Sequence, residues 1–147
     1  MADATPPVID RVTRSFDKQR IMHTIGATLD HVGAGEVHIG LAVRDDLTQQ
    51  HGYVHAGIVA TIADSACGYA ALSMMPADAA VLSIEFKTNM LAPADGTRLV
   101  ARGRVIKPGR TIVVCDATVH AVRDGNEKLV ATMTGTMMVV TGRGIAD

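Results

Sequence analysis

From about residue 80 onward, apolar and polar side chains alternate with a period of two, the spacing of a strand with one covered face. Leu82, Ile84, Phe86 and Met90 fall on one face, with Ser83, Glu85, Lys87 and Asn89 on the other. The alternation returns with Leu99, Ala101, Gly103 and Val105, then with Val113, Cys115, Ala117, Val119 and Ala121, and again with Leu129, Ala131, Met133, Met137 and Val139. Between these runs stand Asp95-Gly96, Pro108-Gly109 and Asp124-Gly125, dipeptides that favour tight turns. The pattern predicts an antiparallel meander over the last two-thirds of the chain. Upstream, Val37, Ile39, Leu41 and Val43 alternate as well, and Gly33-Ala34-Gly35 can turn the shorter run "GATLDHV" into them.

One stretch breaks this period: "HGYVHAGIVATIADSACGYAA", residues 51–71. Wound as a helix, its apolar side chains point in every direction, so residues 56–75 predict one long buried helix stopped by Pro76. Residues 15–25 predict a short amphipathic helix. Residues 1–14, which hold acids and prolines, read as a flexible arm ahead of a single domain over 15–147. One buried helix wrapped by a long curved antiparallel sheet is an α+β arrangement. The other face of that sheet carries Thr, Val and Met as well as charge, so a homo-oligomer is expected to cover it.

Composition narrows the function. The chain has 147 residues, with 14 Lys+Arg against 15 Asp+Glu, and therefore no basic field to attract nucleic acid or an anionic membrane. Aromatic residues make up only 3%, which argues against a base-stacking surface. The long apolar segment is not expected to span a membrane, because Asp64 sits at its centre and its flanks lack Lys/Arg anchors. Cys67 and Cys115 lie in apolar runs without paired spacing, the pattern of buried free thiols in a reducing, cytoplasmic compartment. His51 and His55 are four apart, a metal-binding spacing on a helix. Gly52 and Gly57 place them in a loop with no third ligand nearby, so no metal is expected.

The lone acid is the feature that calls for a reason. A carboxylate in a buried helix is costly unless it is bonded or paired, and Thr61 and Ser65 are its nearest polar neighbours in sequence. At the head of the same helix, the amides of Ala56 and Gly57 lack intrahelical partners and face the positive end of the dipole, a natural site for a developing oxyanion. Eight residues separate Ala56 from Asp64, roughly 12 Å along the axis. One carbonyl cannot touch both. If both act on it, a second copy of the helix must run past antiparallel and supply the acid. On the residues alone, a structural role for Asp64 at an interface and a chemical role both stand open.

"HAGIVATIADSACGYA", followed by strands, resembles the hotdog-fold acyl-CoA thioesterases of the phenylacetate-degradation type. Their pattern runs His-Gly-Gly, small and apolar residues, Asp, then Gly. The resemblance covers about residues 30–141 and implies hydrolysis of an acyl-CoA, without further cofactor, in a site between two subunits of a homodimer or homotetramer. It implies that Asp64 is the general base or nucleophile and that the Ala56 amide, with Gly57 beside it, polarises the thioester carbonyl. It further implies that His55 shapes the loop, that Gln49 places water or thioester with Gln50 next to it, and that Ser83 supports the acid. Two positions depart from the pattern: Ala56 stands for a glycine, and Gln49 is one methylene longer than the family's Asn.

Lys107 and Arg110, on an exposed turn, are candidates for the coenzyme A phosphates, or equally are solvated turn charges. Met90 is a candidate for the acyl pocket. Two alternatives share the expected fold: a non-catalytic acyl-CoA binding or sensing module, and an enoyl-thioester hydratase.

Overall fold

The computed structural model describes residues 3–147. Two helices, α1 (Pro6–Lys18) and α2 (Arg20–Ile25), precede the hairpin β1 (Ala27–Gly33) and β2 (Glu36–Ala42). After a 3-10 turn comes α3 (Ala56–Leu72), followed by β3 (Ala80–Met90), β4 (Arg98–Lys107), β5 (Ile112–Arg123) and β6 (Asn126–Val140). The strands form one six-stranded antiparallel sheet in the order β1-β2-β4-β5-β6-β3. The α3 helix lies against the inner face of this sheet, as the apolar pattern predicts, and ends at Leu72 rather than at residue 75.

The core is built from the alternation. Val37, Ile39 and Leu41 of β2, Leu99 and Ala101 of β4, and Val113, Cys115, Ala117 and Val119 of β5 are buried against Val59, Ile62, Ala66 and Cys67 of α3. Each such large aliphatic side chain contributes about 1.5–3 kcal/mol by leaving water. Helix α3 and strand β4 approach closely at Gly103, where an added Cβ would stand 2.3 Å from the Ala66 carbonyl carbon. Helix backbone and strand backbone touch there.

Three expectations need correction. The arm is ordered from Pro6: a proline pair at the first helical positions has no intrahelical N–H to lose and starts α1 rather than preventing it. Val12 and Phe16 of α1 are buried, and the Arg11 guanidinium donates to the Met75 and Ala79 carbonyls, at 3.1 and 2.7 Å. Positions 1 and 2 of the expected arm lie outside the described residues. The meander is also broken. β3 pairs with β6, not with β4, so residues 91–97, which contain Asp95-Gly96, cross over instead of forming a hairpin. The later pairs of strands do form hairpins. At the β5–β6 turn, Asp124 and Gly125 take φ of 50° and 77°, the left-handed pair that a tight two-residue turn requires.

The third correction concerns faces. A register shift between Ser83 and Glu85 divides β3, and Leu82, Ile84, Phe86 and Met90 are exposed in the single protomer instead of lining the core. Another irregularity near His120 buries Val130 and leaves Leu129 exposed. A strict period of two cannot anticipate the β6 bulge, which moves the side chains beyond it to the other face, nor that β3 is an edge strand left uncovered in one protomer on both sides of its own register shift. No helix among the described residues is long and apolar enough to cross a membrane.

Candidate active site

The α3 helix begins at Ala56 because His55 caps it. His55 Nδ1 accepts the Gly57 N–H at 2.9 Å, so in the neutral ring the proton sits on Nε2. The cap consumes the Gly57 amide. The Ala56 N–H is left without an acceptor among the described residues, and the residue is exposed. Of the two amides at the helix head, only Ala56 is therefore free to meet a ligand, with the helix dipole behind it.

Gln49 stands beside that amide. Its backbone N–H donates to the Tyr53 carbonyl at 2.8 Å and its carbonyl accepts the Gly52 N–H at 3.0 Å, closing a turn in which the His51 N–H bonds Gln49 Oε1. Gly52, with φ of 84°, supplies the left-handed residue. Gln49, Ala56 and Met90 line one open hollow, together with Tyr53, Val54 and residues 91–94. Gln50 is exposed on the turn and does not line it.

Asp64 lies two turns further along α3, half-buried, in a different hollow. Ser83 Oγ, from β3, donates to Asp64 Oδ1 at 2.7 Å and lies 3.3 Å from Met137 Sδ. Oδ2 has no hydrogen-bond partner among the described residues. Thr61 and Ser65 do not serve the acid: Thr61 bonds the Gly57 carbonyl and Ser65 bonds Gln19 Oε1. Burial raises the Asp64 pKa, opposed by the Ser83 hydrogen bond, which favours the ionised form. The arrangement is a carboxylate with one oxygen held and one free, poised nearer neutrality than an exposed Asp.

Within one protomer, the free amide and the free carboxylate oxygen occupy separate hollows. Lys107, at the end of β4, and Arg110, on the β4–β5 turn, are exposed and line neither of them. Among the described residues no cluster of His, Cys, Asp or Glu is arranged to hold a metal.

The sequence reading missed one group. Ser15 and Gln19 stand in the Asp64 hollow, brought there by α1 and its C-terminal end, beside Tyr69 of α3. Residues 11, 15 and 19 recur at helical spacing beside the buried Val12 and Phe16, a polar stripe that marks α1 as packed rather than loose.

A curved antiparallel sheet around a helix that carries one acid in its middle and a free amide at its head defines a hotdog-fold thioesterase. The chain belongs to the thioesterase superfamily, whose sequence profile matches residues 51–128. A thioesterase family protein from Silicibacter pomeroyi is 50% identical, with a TM-score of 0.90 over 92% of this chain and 99% of that one. The PaaI protein of E. coli, from the phenylacetic acid degradation operon, shares the fold at a TM-score of 0.82 and 20% identity, over 92% of this chain and 95% of that one. A 1,4-dihydroxy-2-naphthoyl-CoA hydrolase from Listeria monocytogenes is 26% identical over 119 residues, 81% of this chain and 94% of that protein.

Proposed function

We propose that the chain hydrolyses acyl-CoA thioesters in a site completed by a second copy. Asp64 of one protomer acts on a carbonyl held by the Ala56 N–H of its partner. The observation that carries this reading is the split within one protomer: Asp64 Oδ2 and the Ala56 N–H are both unpartnered, yet stand eight residues apart on one rigid helix. Two antiparallel copies of α3 would set each acid against the other's amide. The edge strand β3 supports such a pairing, because its outer edge is unpaired and Leu82, Ile84 and Phe86 are 51%, 50% and 45% exposed. At least a homodimer follows, and a homotetramer is compatible with it.

In this reading Asp64 Oδ2 takes a proton from water as the water oxygen attacks the thioester carbonyl carbon. The Ala56 amide, with Gln49 beside it, stabilises the oxyanion. The C–S bond then breaks, and the proton passes to the departing coenzyme A thiolate, leaving the free acid. Direct attack by Asp64 would pass through an anhydride, and label entering Asp64 after a single turnover in ¹⁸O water, when water opens that anhydride at the Asp64 carbonyl, identifies this second route. Lys107 and Arg110 are assigned to the coenzyme A phosphates as point charges.

Thiol release from a panel of aryl and straight-chain acyl-CoAs tests the activity, with wild type and Asp64→Ala side by side. Turnover lost in the variant with its fold and assembly intact is the expected result. Mixing Asp64→Ala with a Gln49→Ala chain tests the sharing: subunit exchange is expected to restore part of the activity, and no recovery after confirmed exchange excludes a split site.

A further inference from the structure

Ser83 reaches Asp64 from the part of β3 that the sheet holds least. The β3–β6 ladder runs in register from Ala80 to Ser83 and shifts before Glu85, so Ser83 ends a short paired stretch. The other edge of β3 has no strand beside it. A segment with so few neighbours opens locally unless something else holds it.

Groups from outside the sheet hold this one. Val139 of β6 stands opposite Val81 but gives its N–H to the Thr111 carbonyl on its far side, at 2.8 Å, so the Val81 N–H points to the open edge. Asp147 Oδ2 accepts it there at 2.9 Å, and Asp147 Oδ1 accepts the buried Ser15 hydroxyl of α1 at 2.7 Å. One helical turn ahead of Ser15, the Arg11 guanidinium donates to the Met75 and Ala79 carbonyls on the connection that leads into β3. The chain approaching Ser83 is thereby tied to α1 at Ala79 and, through Asp147, at Val81. Residues 141–146, which join β6 to Asp147, are exposed, so the Asp147 carboxylate rather than burial holds that segment in place.

The charged and titratable groups about Asp147 are Arg11 and Asp17 of α1, Asp64 and Tyr69 of α3, and Asp78 of the α3–β3 connection. We propose that Asp147 is a positioning residue for the reaction: by joining Ser15 of α1 to the Val81 N–H, it fixes the start of β3 so that Ser83 stays within bonding distance of Asp64. It acts through Ser83 and touches no reacting atom. The proposal rests on the thioesterase reading for its effect on rate; the Ser83–Asp64 contact it maintains does not depend on what the site does.

The sign of the effect separates position from charge. Loss of the Ser83 bond raises the Asp64 pKa, whereas loss of a nearby negative charge lowers that of a carboxyl. Asp147→Ala removes both the bridge and the charge. Asp147→Asn removes only the charge, because an amide can still accept from the Val81 N–H and donate to Ser15 Oγ.

The test records pH–rate profiles of kcat/KM for wild type, Asp147→Ala, Asp147→Asn, Ser83→Ala and the Asp147→Ala/Ser83→Ala double variant, and titrates the Asp64 carboxyl directly by NMR of ¹³C-labelled protein. Asp147→Ala is expected to move the acidic limb to higher pH and to lower the rate on it by about threefold or more, with Asp147→Asn close to wild type. The double variant is expected to move the limb no further than Ser83→Ala alone, the mark of one residue acting through another. Melting curves and native mass confirm fold and assembly. Should Asp147→Ala fail to fold, Ser15→Ala, which leaves Asp147 its bond to Val81 and removes its tie to α1, is expected to give a smaller shift of the same sign. Turnover absent in every protein, with the Asp64 titration moved upward in Asp147→Ala, overturns the function and keeps the positioning role. A limb and titration that stay in place or move downward in Asp147→Ala, an equal upward shift in Asp147→Asn, or additive shifts in the double variant overturns that role.

Discussion

Ser83 Oγ stands 2.7 Å from Asp64 Oδ1, across the gap between an edge strand and the buried helix, and among the described residues no other side chain bonds the acid. A hydrogen bond to a charged group contributes about 1.5–3 kcal/mol, and this one favours the carboxylate against the burial that disfavours it. Ser83→Ala removes the lowering influence and leaves the raising one, so the acidic limb of kcat/KM is expected to move to higher pH. At a pH on that limb the rate is expected to fall by about tenfold or more. Ser83→Thr, which keeps the hydroxyl, is expected to restore part of the shift. A pH–rate profile of the three proteins decides it.

Burial also sets a stability cost. The Asp64 pKa is higher in the folded chain than in the unfolded one, so the folded state holds this proton more tightly. Its contribution to stability is fully present below the unfolded value and is lost as pH rises through the folded value. Asp64→Asn removes the ionisation, and the variant is expected to melt at or above the wild-type temperature near neutrality, with the difference shrinking as pH falls. The same variant is expected to lose about 10²–10⁴-fold in turnover if the carboxylate is the base. Thermal melts from about pH 3 to pH 8, which span the ordinary Asp value of 3.8 and the raised folded one, together with thiol release check both halves. A variant that loses stability at neutral pH but keeps turnover would make Asp64 structural.

The parts of this arrangement that were legible in the sequence are those set by local pattern. The α3 segment and the inward faces of β2 and β5 follow from side-chain period. What was not legible depends on partners distant in the chain. Asp95-Gly96 signals a turn, but a turn signal does not say which strands will pair, and β6 offers β3 a longer partner than β4 does. The bulge near Ile84 leaves no mark in a string of alternating residues. At the site, Asp64 stood out because it is costly, whereas Gln19 did not, because it reaches Ser65 and Tyr69 only once Arg11, Val12 and Phe16 have docked α1. The Gly57 amide was an open candidate in sequence, and the His55 cap closes it.

Close packing of α3 on β4 gives an independent prediction for the scaffold. A methyl group at position 103 would collide with the backbone around Ala66, which cannot rotate away as a side chain can. Gly103→Ala is expected to cost about 1–3 kcal/mol, as overpacking does, and to lower Tm by several degrees. Because Ala66 lies within one turn of Asp64, the shifted helix is also expected to lengthen the Ser83–Asp64 contact and reduce turnover. A melt and a rate measurement on the one variant check this, and an unchanged Tm would show that the helix can move at no cost.

The last prediction concerns the second copy. Ile84 is 50% exposed at the register shift of the edge strand β3, whose outer edge is unpaired. A charge on such an edge opposes pairing with another strand. Ile84→Lys is therefore expected to yield a smaller assembly by native mass and light scattering, with the far-UV spectrum of the fold retained. Ile84 lines neither the Ala56 hollow nor the Asp64 hollow, and a pH–rate profile that keeps its acidic limb in place checks that the neighbouring Ser83–Asp64 bond is undisturbed, so a site contained in one protomer would keep its rate. A shared site would lose activity in step with assembly, and raising the protein concentration would recover both together. Full specific activity in a monomeric Ile84→Lys protein would leave each chain with its own complete site, and would require Ala56 and Asp64 to act on different parts of the substrate.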